Sequence, residues 1–362
     1  MKIKKICFIS HSPPNELGGV SLYYKNLLHN LIKNKNLNIT WIYFGIKDRK
    51  YSKDGLNYIE LKKSIFKIPY FENNYKVKNC LKSNPFKIVF TTGGPWTYFY
   101  SKPFYQKLFH IYHGTVFYFN LNHFKRFSPI KKFLFSPLLL LSWISERPSK
   151  KVDKIICVSN KVKRQVENIY GKQNIKVIRT GVNLHEFKPR KSKVKNLRGL
   201  FIGKGNYYTK GLDRAVKLSR EIYKLNNNYR LIIIGPDKSK VKHLINENFI
   251  EFLEDVPRDE MKYYYNKAKI FLMMSRYEGG APTLVTSESM ASGCLTICSE
   301  DSRQEIIQDG VNGLIISNFD KDDAKRILNN IGNQNIINNS LKTIQKLSLD
   351  KWSSKFLKLL NM

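Results

Sequence analysis

The segment IFLMMSRYEGGAPTLVTSESMASG, Ile270–Gly293, decides how the chain folds. Five apolar residues, Ile270–Met274, form a strand covered on both faces, since a strand with one wet face alternates apolar and polar residues. Glu278, Gly279, Gly280 and Ala281 then make a tight turn, and Pro282 stands where a helix prefers proline, at its first position. The helix is expected to run to Ser292, with Gly293 supplying the left-handed stop. Two glycines ahead of a helix N-terminus expose backbone N–H groups and the positive end of the dipole, a site for an anion. Glu288, almost two turns in, can accept hydrogen bonds from vicinal hydroxyls about a pyrophosphate's length away. Read by itself, the loop also fits an ordinary turn followed by a solvated glutamate.

The same strand–turn–helix unit recurs outward in both directions. In the first half the strand candidates are Ile6–Ser10, Ile39–Phe44, Ile88–Thr91, Leu108–Tyr112, Lys154–Val158 and Ile175–Ile178. In the second half they are Gly199–Ile202, Leu231–Ile234, Phe249–Leu253, Ile270–Met274, Leu295–Cys298 and Leu314–Ser317. Helical periods fill the gaps, as at Val20–Lys35, Lys161–Tyr170, Gly211–Leu225 and Asp259–Lys267. Alternation of this kind predicts an α/β chain of two Rossmann-like, doubly wound parallel-sheet domains. The polar, basic stretch Glu186–Asn196 is the natural linker, so the expected domains are 1–187 and 188–345. Residues 346–362 form a last helix, with Trp352, Phe356, Leu357 and Leu360 on one face, expected to pack back on the first domain. Ligands of open parallel sheets bind beyond the carboxyl ends of the strands, which places the active site in a cleft between two such domains.

The chain has 362 residues, with 63 Lys+Arg against 28 Asp+Glu and a formal net charge of +35. Such a surplus attracts polyanions, including nucleic acid, anionic headgroups and phosphorylated substrates. Lys, Asn and Ile are abundant throughout, so compositional bias accounts for part of it. The five cysteines are scattered without a CxxC pair, and reduced, buried thiols in a cytoplasmic protein are expected. The start, MKIKKICFIS, runs into a strand pattern rather than a signal peptide. The longest apolar run, Phe133–Ile144, is interrupted by Pro137 and falls short of the ~20 residues of a membrane span.

The Ser275–Gly293 segment resembles the signature of the family 4 retaining glycosyltransferases of the GT-B fold, the glycosyl transferases group 1 type. Glu288-Ser289-Met290-Ala291-Ser292-Gly293 stands where the family has Glu-Ala-Met-Ala-x-Gly. The resemblance implies that Glu288 holds the donor's ribose hydroxyls and that the backbone of Gly280, Ala281, Pro282, Thr283 and Leu284 holds the distal phosphate and sugar. The family places seven residues between its two glutamates, whereas nine separate Glu278 from Glu288: either the loop, which includes Gly279, carries a two-residue insertion, or a glycine stands at the family's first Glu position, and the resemblance is read as giving Glu278 the donor-sugar contact. IRTGVNLHEFKP, Ile178–Pro189, resembles the family's approach to its second domain, with Thr180 in place of Asn.

FIGKGNYYTKG, Phe201–Gly211, is similar to the family's Gly-Arg…Lys-Gly loop, with Gly203 at the glycine, Lys204 at the Arg and Lys210 at the Lys, one extra residue between them. Two cations there can neutralise a pyrophosphate leaving group as its charge develops. Gly18 and Gly19 resemble the family's first Gly-Gly turn, which closes on the donor phosphates. His113, in IYHGT, resembles the histidine that touches the donor sugar and phosphate, and His11 is a weaker second candidate. Gly235 in GPDK and Val256 in EFLEDVPRDEM fall in the two loops that flank the nucleotide base. The resemblance further implies a nucleotide-diphosphate sugar as donor, with no separate cofactor and no metal. Asp320-Lys321-Asp322 starts a helix, where acids suit the dipole, and is not read as a metal site.

The expected function is therefore retaining transfer of a sugar to a hydroxyl of a glycan or lipid-linked acceptor, in cell-surface polysaccharide or lipopolysaccharide assembly. A basic nucleic-acid-binding protein is the alternative from another class, although no such motif is visible; a GT-B phosphorylase or epimerase is the third. Aromatic and basic residues interleave from Phe99 to Phe135, which suits either a core under solvated lysines or a surface on an anionic membrane. A cytoplasmic protein, peripheral on the inner membrane face, is the corresponding location.

Overall fold

The computed structural model describes residues 3–11, 13–14, 18–63, 74–92, 105–125, 127–146, 152–190, 197–203, 206–235, 237–254 and 256–360. The chain divides into two compact units, Met1–Arg179 with Trp352–Met362, and Thr180–Lys351.

Unit 1 runs β1 (Lys4–Ser10), α1 (Gly19–Leu31), β2 (Leu37–Gly45), β3 (Arg49–Lys53), β4 (Leu56–Lys62), α2 (Asn74–Ser83), β5 (Phe86–Thr92), β6 (Tyr105–Tyr112), α3 (Val116–Phe124), α4 (Pro129–Ser145), β7 (Lys154–Cys157), α5 (Asn160–Tyr170) and β8 (Ile175–Val177). Its eight strands lie in the order β3-β4-β2-β1-β5-β6-β7-β8. All pair in parallel except β3, which runs antiparallel to β4. The central strands are continuous apolar runs because helices cover both faces, and Phe8 of β1 stacks on Phe90 of β5 at 4.5 Å.

Periodicity does not anticipate β3 and β4. They form a hairpin around Asp54-Gly55, with φ values of 50° and 77°. A two-residue turn with both φ positive is the one that Asp-Gly favours, and that dipeptide is the local signal. β3 reads RKYSK and lies at the sheet edge, where its charges discourage pairing with another chain.

Unit 2 runs β9 (Arg198–Ile202), α6 (Tyr207–Lys210), α7 (Leu212–Leu225), β10 (Arg230–Ile234), α8 (Lys238–Val241), β11 (Ile250–Leu253), α9 (Met261–Lys267), β12 (Ile270–Met273), α10 (Leu284–Ala291), β13 (Leu295–Ser299), β14 (Leu314–Ile316), α11 (Lys321–Asn330) and α12 (Gln334–Gln345). Its all-parallel sheet is ordered β11-β10-β9-β12-β13-β14. Counted within the unit this is 3-2-1-4-5-6, the order of dinucleotide-binding sheets, and the direction of winding reverses between β9 and β12.

The sequence boundary after residue 187 falls inside unit 2. Phe187 is buried in that unit's core, and the Val182 amide donates to the Leu347 carbonyl at 2.9 Å. The chain returns through α13 (Leu349–Leu360). From Trp352 on, this helix belongs to unit 1, where Trp352 meets Tyr23 edge-on at 4.7 Å and Phe356 lies 6.0 Å from Phe90. Leu359, rather than the expected Leu357, completes the buried face. α4 also departs from expectation. Pro137 lies inside it without breaking it. Even so, no helix among the described residues is long and apolar enough to cross a membrane.

Trp352 is 1% exposed. Trp352→Ala is expected to cost about 3–5 kcal/mol in urea unfolding, the range for emptying a packed aromatic site. Lys358→Ala, on the exposed side of the same helix, serves as control, and an equal midpoint for the two variants would show that α13 does not brace unit 1.

Candidate functional site

Winding reverses in unit 2 between β9 and β12, the place where open parallel sheets bind ligands, and several sequence candidates lie in the loops after these strands. Gly203 follows β9 directly, and its amide donates to the Ile234 carbonyl of β10 at 2.9 Å. Gly235, with φ 132°, faces it so closely that a Cβ would fall 1.8 Å from the Gly203 oxygen. Only glycine permits that approach. Lys210 ends the short helix α6, and Gly211 behind it, with φ 74°, lies against the Met274 carbonyl at the end of β12.

The loop after β12 is tied to the loop after β9 by Arg276. Its guanidinium makes two bonds to Asp213, at 2.8 and 2.5 Å, and a third to the Tyr208 carbonyl, while lying 3.8 Å from the Tyr208 ring centre. Its own amide donates to the Thr209 carbonyl at 2.9 Å. This clamp brings Lys210 and Glu278 together, with Nζ 3.1 Å from Oε1. Lys204 lies outside the described residues.

The turn at 279–283 is fixed from the next loop along. Gly280 takes φ 74° and its carbonyl accepts from the Glu305 amide at 2.9 Å. Fully buried Gln304 accepts from the Thr283 amide at 3.0 Å and donates to the Thr286 hydroxyl at 2.8 Å. Thr283 is the N-cap of α10, its hydroxyl accepting from the Thr286 amide, so Pro282 precedes the cap instead of opening the helix. Threonine wins the cap because its oxygen satisfies an amide that proline's ring leaves unpaired. Gly293 has φ 80°, the left-handed stop expected of it. Val256 is half-buried against the core after β11.

Glu288 is already paired within the unit. It is 1% exposed, and Arg258 grips both of its carboxylate oxygens, Nη1 to Oε2 at 2.9 Å and Nη2 to Oε1. The Tyr265 hydroxyl donates to Oε2 at 3.0 Å. Burial pushes the Glu288 carboxyl above its ordinary pKa, and Arg258 followed by Tyr265 draws it back. Arg258, in VPRDEM, and Gln304 were not among the sequence candidates, and nothing in their local pattern marks them.

In unit 1, Gly18 caps α1 and Gly19 is its first residue. His113 lies just past β6 and meets Tyr23 of α1 edge-on at 4.4 Å. Among the described residues, its Nε2 is buried without a hydrogen-bond partner. Burial lowers the pKa of His113 to about 4, and that of His11 to about 4 with help from Lys63. Buried His110, bonded to Thr91 at 2.8 Å, is lowered to about 3 by burial and by His113. All five cysteines are free thiols, and no group of side chains with metal-binding spacing occurs among the described residues. Asp320 caps α11, accepting from the Asp322 and Asp323 amides.

Removing Arg258 strands a buried carboxylate, so Arg258→Ala is expected to lose about 3–5 kcal/mol of unfolding free energy. Arg258→Ala with Glu288→Gln should recover part of the loss; no recovery would mean that the loss is one of packing. Stability should also depend on pH with a defined sign. Unfolded histidine takes up its proton near 6.5, while the three folded imidazoles wait until about 3–4. The unfolded state therefore gains protons first, and stability falls as pH drops from about 6.5 towards 4, by up to about 3 kcal/mol per group. Glu146, raised to about 7 by burial, acts in the opposite direction between about 4.5 and 7 and blunts the slope. The urea midpoint should fall between pH 6.5 and 4.5, and less in His110→Asn/His113→Asn; equal slopes would exclude these imidazoles.

Two family models match the chain: Glycosyltransferase Family 4 over residues 17–186 and Glycosyl transferases group 1 over residues 184–346. No curated protein matches it in sequence. Among solved structures, sucrose-phosphate synthase from Thermosynechococcus elongatus is 15% identical with a TM-score of 0.76, over 99% of this chain and 98% of that one. HepE of Anabaena, in complex with UDP and glucose, is 13% identical with a TM-score of 0.72, over 99% of both chains. A trehalose-6-phosphate structure from E. coli, bound with UDP-2-fluoro glucose, is 12% identical with a TM-score of 0.73, again over 99% of both. These likenesses establish the GT-B fold, and the two models together take in nearly the whole chain. It belongs to the glycosyl transferases group 1 type, the family 4 glycosyltransferases.

Proposed function

We propose that this glycosyltransferase moves a sugar, with retention of configuration, from a nucleotide-diphosphate sugar to a hydroxyl of a glycan or lipid-linked acceptor. The observation that carries the reading is the Lys210–Glu278 pair, set at the winding reversal of a dinucleotide-type sheet beside the N-terminus of α10. In this reading Glu278 orients the donor sugar, while Lys210 and Lys204 face the pyrophosphate. The backbone from Gly279 to Leu284 and at Gly203 lines the phosphate side, and Gly235 and Val256 flank the base. UDP in two of the similar structures makes a uridine nucleotide the first donor to test.

The reaction breaks the bond between the anomeric carbon and the β-phosphate oxygen, and the nucleoside diphosphate departs with the electron pair. The acceptor oxygen forms the new bond on the same face, and its proton passes to the departing phosphate oxygen. Negative charge grows on the pyrophosphate, and cations held in place beforehand stabilise it without rearranging. In this reading the lysines and the α10 N-terminus supply that charge, and turnover needs no metal. His113, neutral at physiological pH, can donate to or accept from a sugar or phosphate oxygen. Glu288 reaches the ribose only if it shares its oxygens with Arg258 and Tyr265. A carboxylate offers about four lone-pair sites, and these partners take three.

A panel of nucleotide sugars should raise the melting temperature selectively, and the product of the preferred α-linked donor should be α by NMR; a β product excludes retention. Lys210→Ala should lower kcat about 10²–10³-fold while donor Kd changes much less, because the lysine acts on developing charge. Equal losses in kcat and Kd would move Lys210 to ground-state binding. Turnover should survive EDTA, and sugar transfer to inorganic phosphate in place of a hydroxyl acceptor would reassign the enzyme as a phosphorylase.

A further inference from the structure

The helix α4 leaves its apolar side bare. Its sequence, PIKKFLFSPLLLLSWIS, places Ile130, Phe133, Leu134, Leu138, Leu141 and Ile144 at helical spacing along one stripe. All six are exposed, Phe133 by 81% and Ile130 by 76%. The side chains that do turn inward are few: Ser142 is buried, and Leu139 and Trp143 are half-buried. α3 packs along α4 and adds exposed Phe119. A continuous row of bare leucine and phenylalanine is far from the scattered single apolar residues of an ordinary surface, and marks a docking face.

Charge selects the occupant. Between Val116 and Ser145 the chain has no Asp or Glu, while Lys125, which caps the α3 helix packed on α4, and Lys131 in the first turn of α4 are exposed. A symmetric pair of copies would set each lysine against its equivalents around a shared apolar seam, which charge disfavours. An anionic bilayer satisfies both halves of the surface: acyl chains take the stripe and headgroups take the lysines. With 17 residues, α4 is too short to span a bilayer, and its polar side has nothing to gain from entering one. The proline in mid-helix costs little there, because Pro137 is exposed and the helix continues through it.

We propose that α4 lies flat in the interface of an anionic lipid bilayer, its Ile130–Ile144 stripe among the acyl chains and Lys125 and Lys131 at the headgroups. This docking is separate from donor chemistry, so its test needs neither donor nor acceptor.

The full chain is sedimented with vesicles of phosphatidylcholine containing a third phosphatidylglycerol, and with vesicles of phosphatidylcholine alone. Wild type should pellet with the anionic vesicles at least tenfold more than with the neutral ones, and added salt should weaken the difference. Leu134→Glu/Leu141→Glu should lose vesicle binding, and Lys125→Glu/Lys131→Glu should lose the anionic preference. Both pairs are exposed, so an unchanged urea midpoint is expected; Phe133→Ser replaces the first pair if its midpoint falls. Equal pelleting with and without anionic lipid, or undiminished binding by Leu134→Glu/Leu141→Glu, overturns the proposal. So does a dimer in analytical ultracentrifugation that Leu134→Glu/Leu141→Glu dissolves, which would assign the stripe to a second copy. Binding of an oligonucleotide, but of no vesicle, would assign the basic face to nucleic acid and also overturn it.

Discussion

The meeting of Lys210 and Glu278 hangs on Arg276. Parallel strands β9 and β12 lie side by side, and the loops that leave them need a tie to stay together. Arg276 supplies one, with two bonds to Asp213 in the first turn of α7, one to the Tyr208 carbonyl, and its planar face on the Tyr208 ring. Arginine rather than lysine is required, because only a planar fork makes the bidentate pair and the stack at once. Its pKa is raised above the ordinary value, first by the bonds to Asp213, so the clamp keeps its charge at any relevant pH. Gly211 then lets the two loops touch, and Lys210 and Glu278 arrive opposite each other as a consequence.

A second constraint governs α10. All residues from Thr286 to Ala291 are buried, so this helix has no wet face and its one acid cannot point into solvent. An acid in such a place must be paired or neutral. Arg258 and Tyr265 do the pairing, and Phe187 lies under the guanidinium at 5.0 Å, so the pair is packed as well as bonded. Desolvation offsets much of the attraction in a pair like this, and its net contribution to stability is smaller than the cost of breaking it. What it does secure is the position of Glu288 relative to the α10 N-terminus, since three directed bonds leave the carboxylate one orientation.

This division explains what the sequence disclosed. Buried parallel strands write themselves as apolar runs, so β1, β2 and β5–β14 are legible from residue type alone. β3 and β4 are not, because an edge hairpin of RKYSK and LNYIELK has charges on both strands and hides its register in one Asp-Gly turn. Gly203 and Gly235 are visible as glycines after strands and Gly211 as the glycine before a helix, and their necessity lies in backbone contacts that no spacing encodes. Arg258, Gln304 and Arg276 act across 30, 21 and 63 residues of sequence, and a polar side chain that pairs at such distance leaves no local trace. The helix start at Leu284 was misplaced by two positions because proline and threonine compete for adjacent roles, and only the hydrogen bond to the Thr286 amide decides between them.

The acids of the unit 2 site and the histidines of unit 1 handle charge in opposite ways. In unit 2, the site acids Glu278, Glu288 and Asp213 each face a cation, so that side of the chain keeps its ions and fixes their directions. In unit 1, His11, His110 and His113 are held neutral by burial, and the nearby Tyr23 hydroxyl is raised further from ionisation by the same cause. Fixed ions suit a ligand whose charge grows during reaction, because they need not reorganise to meet it. Neutral donors and acceptors suit a ligand with hydroxyls and no charge, because they can bond to it without paying to desolvate an ion.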